Sequence, residues 1–289
     1  MDIIIILQIL FLGIVEGVTE WLPISSTGHM LLIDAFFPLN ARETFKEMFF
    51  VVVQLGAILA VAWTFWKKLF PFHVEKMDNP YTEKRGKLQI TADMGIFHLW
   101  GKIIIACIPS AVFGILLDDF LEAYLHTPLI IALALLVYGV AFLMVEKRKN
   151  PQTIASVDAL SYKTALMIGL FQTLALIPGT SRSGATILGA LLLGVSRPAG
   201  AEFSFYLALP VMFGASAVKL LKFFLSGGGF VGWELVYLLL GSIVAFVVSL
   251  LVIRFFMNFL KKRDFKPFGW YRIVLGCLVI ATLVVPSLL

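Results

Sequence analysis

Charge is what this chain lacks most. Only 14% of its 289 residues are Asp, Glu, Lys or Arg, while 60% are hydrophobic and the mean hydropathy is +0.95. A soluble domain carries about 25% charged residues and roughly 45–50% apolar ones, so a water-soluble globule is excluded. Cysteine is also scarce. Cys107 and Cys277 both lie in apolar runs, which excludes a disulfide framework and leaves two buried free thiols as the expectation. The start, MDIIII, has no basic segment and no small-residue cleavage site, so a cleaved signal peptide is not expected. No Walker loop, GxSxG or CxxC occurs. The net charge of +5 implies nucleic acid only if the basic residues share a face, and they do not. No nucleic-acid partner is expected.

Long apolar runs are present instead. Six have spanning character, about 45–66, 98–117, 128–145, 202–222, 233–253 and 270–287, each near the ~20 residues a bilayer requires. Basic residues gather in three loops, 67–87, 146–163 and 254–266, with six, four and five of them. The connections 118–127 and 223–232 hold none. The positive-inside rule places the three basic loops in the cytoplasm and the other two outside. Both termini then fall outside. Arg42, Lys46, Lys219 and Lys222 lie near outer ends and run against this assignment. Asp118, Asp119 and Glu122 read as a solvated outer loop, and His73, His98 and His126 as interfacial.

Two further apolar stretches, about 3–38 and 163–197, are broken by a proline and a polar, glycine-containing run. The loop signs bring each back to the side it started from, so both are expected to be re-entrant helix–loop–helix hairpins. Irregular backbone is tolerated at membrane depth only where protein or a water-filled cavity satisfies it. Each hairpin is followed by a Phe-rich span (EMFFVVVQLGAILAV from Glu47, AEFSFYLALPVMFGASAV from Ala201) and then by two more. Three spans is an odd number, so the second copy is inverted. The expectation is an all-α, polytopic membrane protein forming one domain over 1–289, with repeat one at about 1–145 and repeat two at about 163–289. Secondary transporters use this architecture, so a transporter or lipid flippase is one reading of the chain.

The first break is EGVTEWLPISSTGH, Glu16 to His29. Glu16 and Glu20 are four residues apart and share a helix face. Two carboxylates on an apolar half-helix are costly unless protonated, paired or bound to a cation. Interfacial charges, a carrier's proton sites, or ligands for Mg²⁺ or Ca²⁺ all satisfy this. Pro23 ends one half-helix, and Ser25, Ser26 and Thr27 lead into the next, which carries His29 one turn inside. These hydroxyls serve as caps or line a pocket at a positive helix end. The second break, PGTSRSGAT, sets Arg182 among Gly179, Thr180, Ser181, Ser183 and Thr186. An arginine at membrane depth points to function, and a fork among hydroxyls and glycine suits a phosphate or diphosphate. A structural ion pair with Glu16 or Glu20 is the plainer role. Glu202 opens the next span as a site carboxylate or an interfacial charge, and Gln54 bridges helices.

EGVTEWLPISSTGH, PGTSRSGAT and EFSFYLALP, with VVVQLGAILAV between them, resemble the undecaprenyl-diphosphatase family of bacitracin-resistance membrane phosphatases over essentially the whole chain. The resemblance implies hydrolysis of undecaprenyl diphosphate to undecaprenyl phosphate and inorganic phosphate in the bacterial plasma membrane. The site would open to the outer, periplasmic face and would depend on a divalent cation. It makes the polyprenyl diphosphate lipid the substrate and membrane lipids the surroundings, and it is compatible with a homodimer. Carried onto these residues, it makes Glu16 and Glu20 the metal ligands and Arg182 the phosphate clamp, with Gly179, Ser181, Ser183, Thr186 and Glu202 in support. Ser26 becomes the nucleophile, Ser25 and Thr27 line the substrate site, and His29 is the general acid/base. Attack by His29 or by water remains the alternative.

Overall fold

The computed structural model describes residues 2–77, 87–148 and 151–288. The helices and strands are α1 (Ile3–Thr19), α2 (Ser26–Phe36), α3 (Glu43–Val52), α4 (Gln54–Thr64), the single turn α5 (Trp66–Leu69), β1 (Phe72–Met77), β2 (Lys87–Ala92), α6 (Met94–Leu125), α7 (Pro128–Arg148), α8 (Tyr162–Thr173), α9 (Arg182–Leu192), α10 (Arg197–Leu225), α11 (Glu234–Leu260), α12 (Lys266–Val279) and α13 (Val285–Leu288). A 3₁₀ turn follows α8, and five residues of π-helix join α12 to α13.

Six helical segments are long and apolar enough to cross a membrane, with α3 and α4 acting together as Glu43–Thr64. They coincide with the six expected spans. The helices outrun the apolar windows because polar residues cap them. Ser196 caps α10 by accepting from Ala199 N, six residues before the expected start of that span.

Three expectations are corrected. The chain is not wholly α-helical, because β1 and β2 form an antiparallel ribbon pairing Phe72 with Ala92 and Val74 with Ile90. FHVEKM and KLQITA alternate in polarity along their length, the period of a strand rather than a helix. The segment expected as an outer loop, 118–127, is mostly the last two turns of α6, leaving only His126 and Thr127 before α7. Cys107 is partly buried, but Cys277 is exposed on the helix surface rather than buried. Lys84, Arg85 and Lys149, counted among the basic loops, lie outside the described residues.

Where apolar helices meet inside lipid, solvent no longer drives them together, and close packing through small residues does. Gly169 of α8 illustrates this. A Cβ there would lie 2.1 Å from the Ala106 carbonyl oxygen of α6, so only glycine permits the approach. Two pairs of helices run side by side in the same direction. The start of α1 meets the start of α11 (Asp2 N to Tyr237 Oη, 3.1 Å), and further along Ser249 Oγ donates to Gly17 O. Likewise His98 near the start of α6 meets Tyr162 at the start of α8, and Gln172 Nε2 donates to Ser110 Oγ at 2.8 Å. After each break the chain comes back: Gln8 donates to Pro38 O beyond α2, and Ile154 N to Gly194 O beyond α9.

Three of the basic residues near the ends of α3 and α10 have an acidic neighbour. Arg42 bonds Glu234, Lys46 bonds Glu43 and Lys219 bonds Glu47.

Candidate active site

The two breaks share one backbone device. Ser25 and Ser181 are the non-glycine residues with positive φ among the described residues, at 72° and 70°. Each caps the following half-helix, Ser25 Oγ accepting from Gly28 N and Ser181 Oγ from Gly184 N, both at 3.2 Å. A serine held in the left-handed region is strained, and such strain gathers at functional sites. A capped helix start keeps a positive dipole end.

The turns are in contact. Ser183 Oγ donates to the carbonyls of Glu20 and Leu22, each at 3.3 Å. At the junction lies the Glu20 carboxylate. One oxygen accepts from Ser26 Oγ at 3.0 Å, and the other accepts from Arg182 Nη2 at 3.2 Å. Arg182 is further fixed by Ser204 O at 2.7 Å, and its guanidinium lies over the buried Trp21 ring at 5.9 Å. Its Nε is buried without a hydrogen-bond partner, so the fork is not fully used.

Glu16 is 1% exposed, and one of its carboxylate oxygens has no hydrogen-bond partner. An orphan buried carboxylate is expensive unless a proton or cation joins it. Two carboxylates one turn apart beside a serine hydroxyl are hard oxygen donors of the kind Mg²⁺ and Ca²⁺ take. No cluster of three or more His, Cys, Asp or Glu able to hold a metal occurs among the described residues, so such an ion would draw its remaining ligands from substrate and water.

His29 is three residues beyond Ser26 on α2, on the same helix face. Its Nδ1 lies 2.7 Å from Ser25 O and its Nε2 2.6 Å from Tyr271 Oη. Ser26 is therefore bonded to a carboxylate and not to the imidazole. Thr27 is exposed. Ser25, Ser183 and Thr186 are fully buried. Thr186 Oγ1 bonds Arg182 O and Ser204 Oγ, so these hydroxyls brace the turns from within. Gly179 has φ +90°, and a Cβ there would sit 2.5 Å from Ile131 O on α7. Glu202 lies apart from the cluster, holding Lys68 at 2.7 Å and the Tyr206 hydroxyl. Gln54 donates to Phe50 O within its own span rather than between helices.

Three participants escape a reading of the motifs. Arg272 on α12 is 0% exposed and donates to Pro23 O, Gly179 O and Thr180 O, tying the two turns together. Its neighbour Tyr271 holds His29, and Ser204 braces both Arg182 and Thr186. An arginine inside an apolar span was the available signal for Arg272.

Comparison with known proteins gives the same direction. The family model of the bacitracin resistance protein BacA matches residues 9–278. An undecaprenyl-diphosphatase of Enterococcus faecalis is 59% identical over 97% of this chain and 98% of its own length. One from Desulfitobacterium hafniense is 52% identical over 97% and 96%. Undecaprenyl-diphosphatase 1 of Clostridioides difficile is 52% identical over 96% and 95%.

Proposed function

The chain belongs to the bacitracin resistance protein BacA family, and on that premise we propose that it removes the terminal phosphate of undecaprenyl diphosphate. The products are inorganic phosphate and undecaprenyl phosphate, the lipid carrier returned to cell-wall synthesis. The observation that carries the reading is the Glu20 carboxylate, shared between the Ser26 hydroxyl and the Arg182 guanidinium.

Ser26 Oγ attacks the terminal phosphorus while Glu20 takes its proton, since a serine hydroxyl needs a base within hydrogen-bond reach. The bond to the bridging oxygen breaks, and undecaprenyl phosphate leaves. Water then attacks the phosphoserine with His29 as base, the P–Oγ bond breaks, and Ser26 regains a proton. Arg182 exchanges its contact with Glu20 for the phosphate, its planar fork matching two phosphate oxygens. Catalysis of phosphoryl transfer is mainly positioning and charge stabilisation, which two helix N-termini and an arginine supply. Glu16 and Glu20 would hold a divalent cation, which when bound neutralises diphosphate charge.

We also infer that α1–α2 and α8–α9 are re-entrant hairpins related by an inverted repeat. The reading is supported by the matched pairings of α1 with α11 and α8 with α6, by the paired positive-φ serine caps, and by α7 packing on α12. With the basic loops in the cytoplasm, the first hairpin enters from the outer face and the site opens there. Impermeant thiol reagents should label cysteines introduced near residue 40 and not near 155 in intact cells; the reverse pattern contradicts the orientation.

Purified protein in detergent should release phosphate from undecaprenyl diphosphate and lose this release on chelation of divalent cations. No release under any cation supplied would overturn the assignment.

A further inference from the structure

Beside the cluster stands a side chain that the reaction, as described, does not use. Tyr271, on α12, stacks its ring on His29 with centroids 5.6 Å apart and planes 11° from parallel. Its hydroxyl lies 2.6 Å from His29 Nε2. The opposite nitrogen, Nδ1, lies 2.7 Å from the Ser25 carbonyl. A carbonyl oxygen only accepts, so Nδ1 carries the ring proton in that contact. In a neutral imidazole Nε2 is then an acceptor, and the Tyr271 O–H is its donor.

Both halves of this grip depend on the first turn and on Arg272. Ser25 takes φ 72° and turns its carbonyl toward the imidazole at its own helix N-terminus. Arg272, next to Tyr271 in sequence, anchors that level of α12 to both turns through three carbonyls. The charged groups of the neighbouring elements do not hydrogen-bond the ring: Glu20, just after α1, and Arg182 on α9 engage each other, and Arg272 is held by the turn carbonyls.

We propose that Tyr271 is a positioning residue for His29. Its hydroxyl and ring hold the orientation of the imidazole, whose Nδ1–H tautomer the Ser25 carbonyl sets, with the Nε2 lone pair presented on the α12 side. Nε2 is the nitrogen a base would use when Nδ1 is tied to backbone, and the Tyr271 hydroxyl yields it when water takes its place. It rests on the phosphatase reading only for its consequence in turnover, because the tether itself belongs to the resting protein.

The experiment is ¹⁵N NMR of histidine-labelled protein in detergent micelles, with the His29 signal among the four histidines identified by its absence in His29→Gln. Wild-type His29 should show a protonated Nδ1 and an unprotonated, hydrogen-bonded Nε2. Tyr271→Phe keeps the stacked ring and removes the donor, so its His29 Nε2 signal should lose its hydrogen-bond shift while Nδ1 stays protonated on the Ser25 carbonyl. In the same variant kcat should fall about tenfold with KM changed less than about twofold, a fraction of the ~10²–10⁴-fold that a positioned acid/base contributes. An Nε2–H tautomer in the wild type would overturn the proposal without any variant. So would a Tyr271→Phe protein whose His29 signals match the wild type, or one with undiminished kcat. If the wild type shows the expected tautomer but releases no phosphate, the tether stands and the phosphatase reading fails.

Discussion

The turn at residues 20–25 and the turn at 177–181 solve one backbone problem and serve opposite chemistry. Both end an apolar half-helix, cross at a proline and restart through a serine at φ near 70° that caps a glycine N–H three residues on. Directly after the capping serine the first turn carries Ser26 and the second carries Arg182. The same scaffold position thus presents a hydroxyl from one side and a cation from the other, with Glu20 between them. The shared turn geometry sets the position, and the side chain that follows the cap differs between the two.

The largest expected effect follows from that division. Ser26→Ala should lower kcat by about 10⁴-fold or more, the scale of losing a nucleophile, while the protein still binds the lipid diphosphate. Turnover within about tenfold of wild type would return the attacking role to water or His29.

The next effect concerns the spacing from proline to capping serine, which is one residue longer in the second turn (Pro178 to Ser181) than in the first (Pro23 to Ser25). Gly179→Ala places a Cβ at φ +90° and 2.5 Å from Ile131 O, which should cost about 2–3 kcal/mol and lower the thermal midpoint. Ser25→Gly, which relieves strain in the first turn, should change stability by only a few tenths of a kcal/mol. Equal losses in the two would mean that the turns are not built alike.

The smallest effect belongs to Glu202. Its contacts are Lys68 and Tyr206 rather than the cluster, and the Lys68 side chain is 61% exposed. Glu202→Gln should therefore change kcat/KM by less than about twofold and stability by under about 1 kcal/mol. A loss of a hundredfold would bring Glu202 back into the site.

Much of this was legible in the sequence because apolar length and polar interruption are local signals. The six spans follow from run length, and both breaks from proline, hydroxyls and glycine in otherwise apolar stretches. What spacing could not give was the partner of each side chain across the breaks. Glu16 and Glu20 share a face by periodicity, yet Glu20 rather than His29 holds Ser26 because the chain reverses through the left-handed Ser25. Tyr271 and Arg272 lie more than 240 residues from the first turn, and although an arginine in an apolar span signals a role for Arg272, nothing in the sequence names His29 and Pro23 as the partners. The β-ribbon was hidden by charge, since KKLFPFHVEKM looks first like a basic loop and only then like an alternating strand.

The central claim is that the two turns form one catalytic unit through Glu20. A double-mutant cycle on kcat/KM with Glu20→Gln and Arg182→Lys tests it most directly. Each single change should cost about 10²-fold, Gln lacking the base and Lys the planar fork. If Glu20 and Arg182 act together, the double variant will be about as slow as the worse single variant, a departure from additivity of more than about 1.4 kcal/mol. Losses that multiply to about 10⁴-fold would contradict the account and leave two turns that touch without working together.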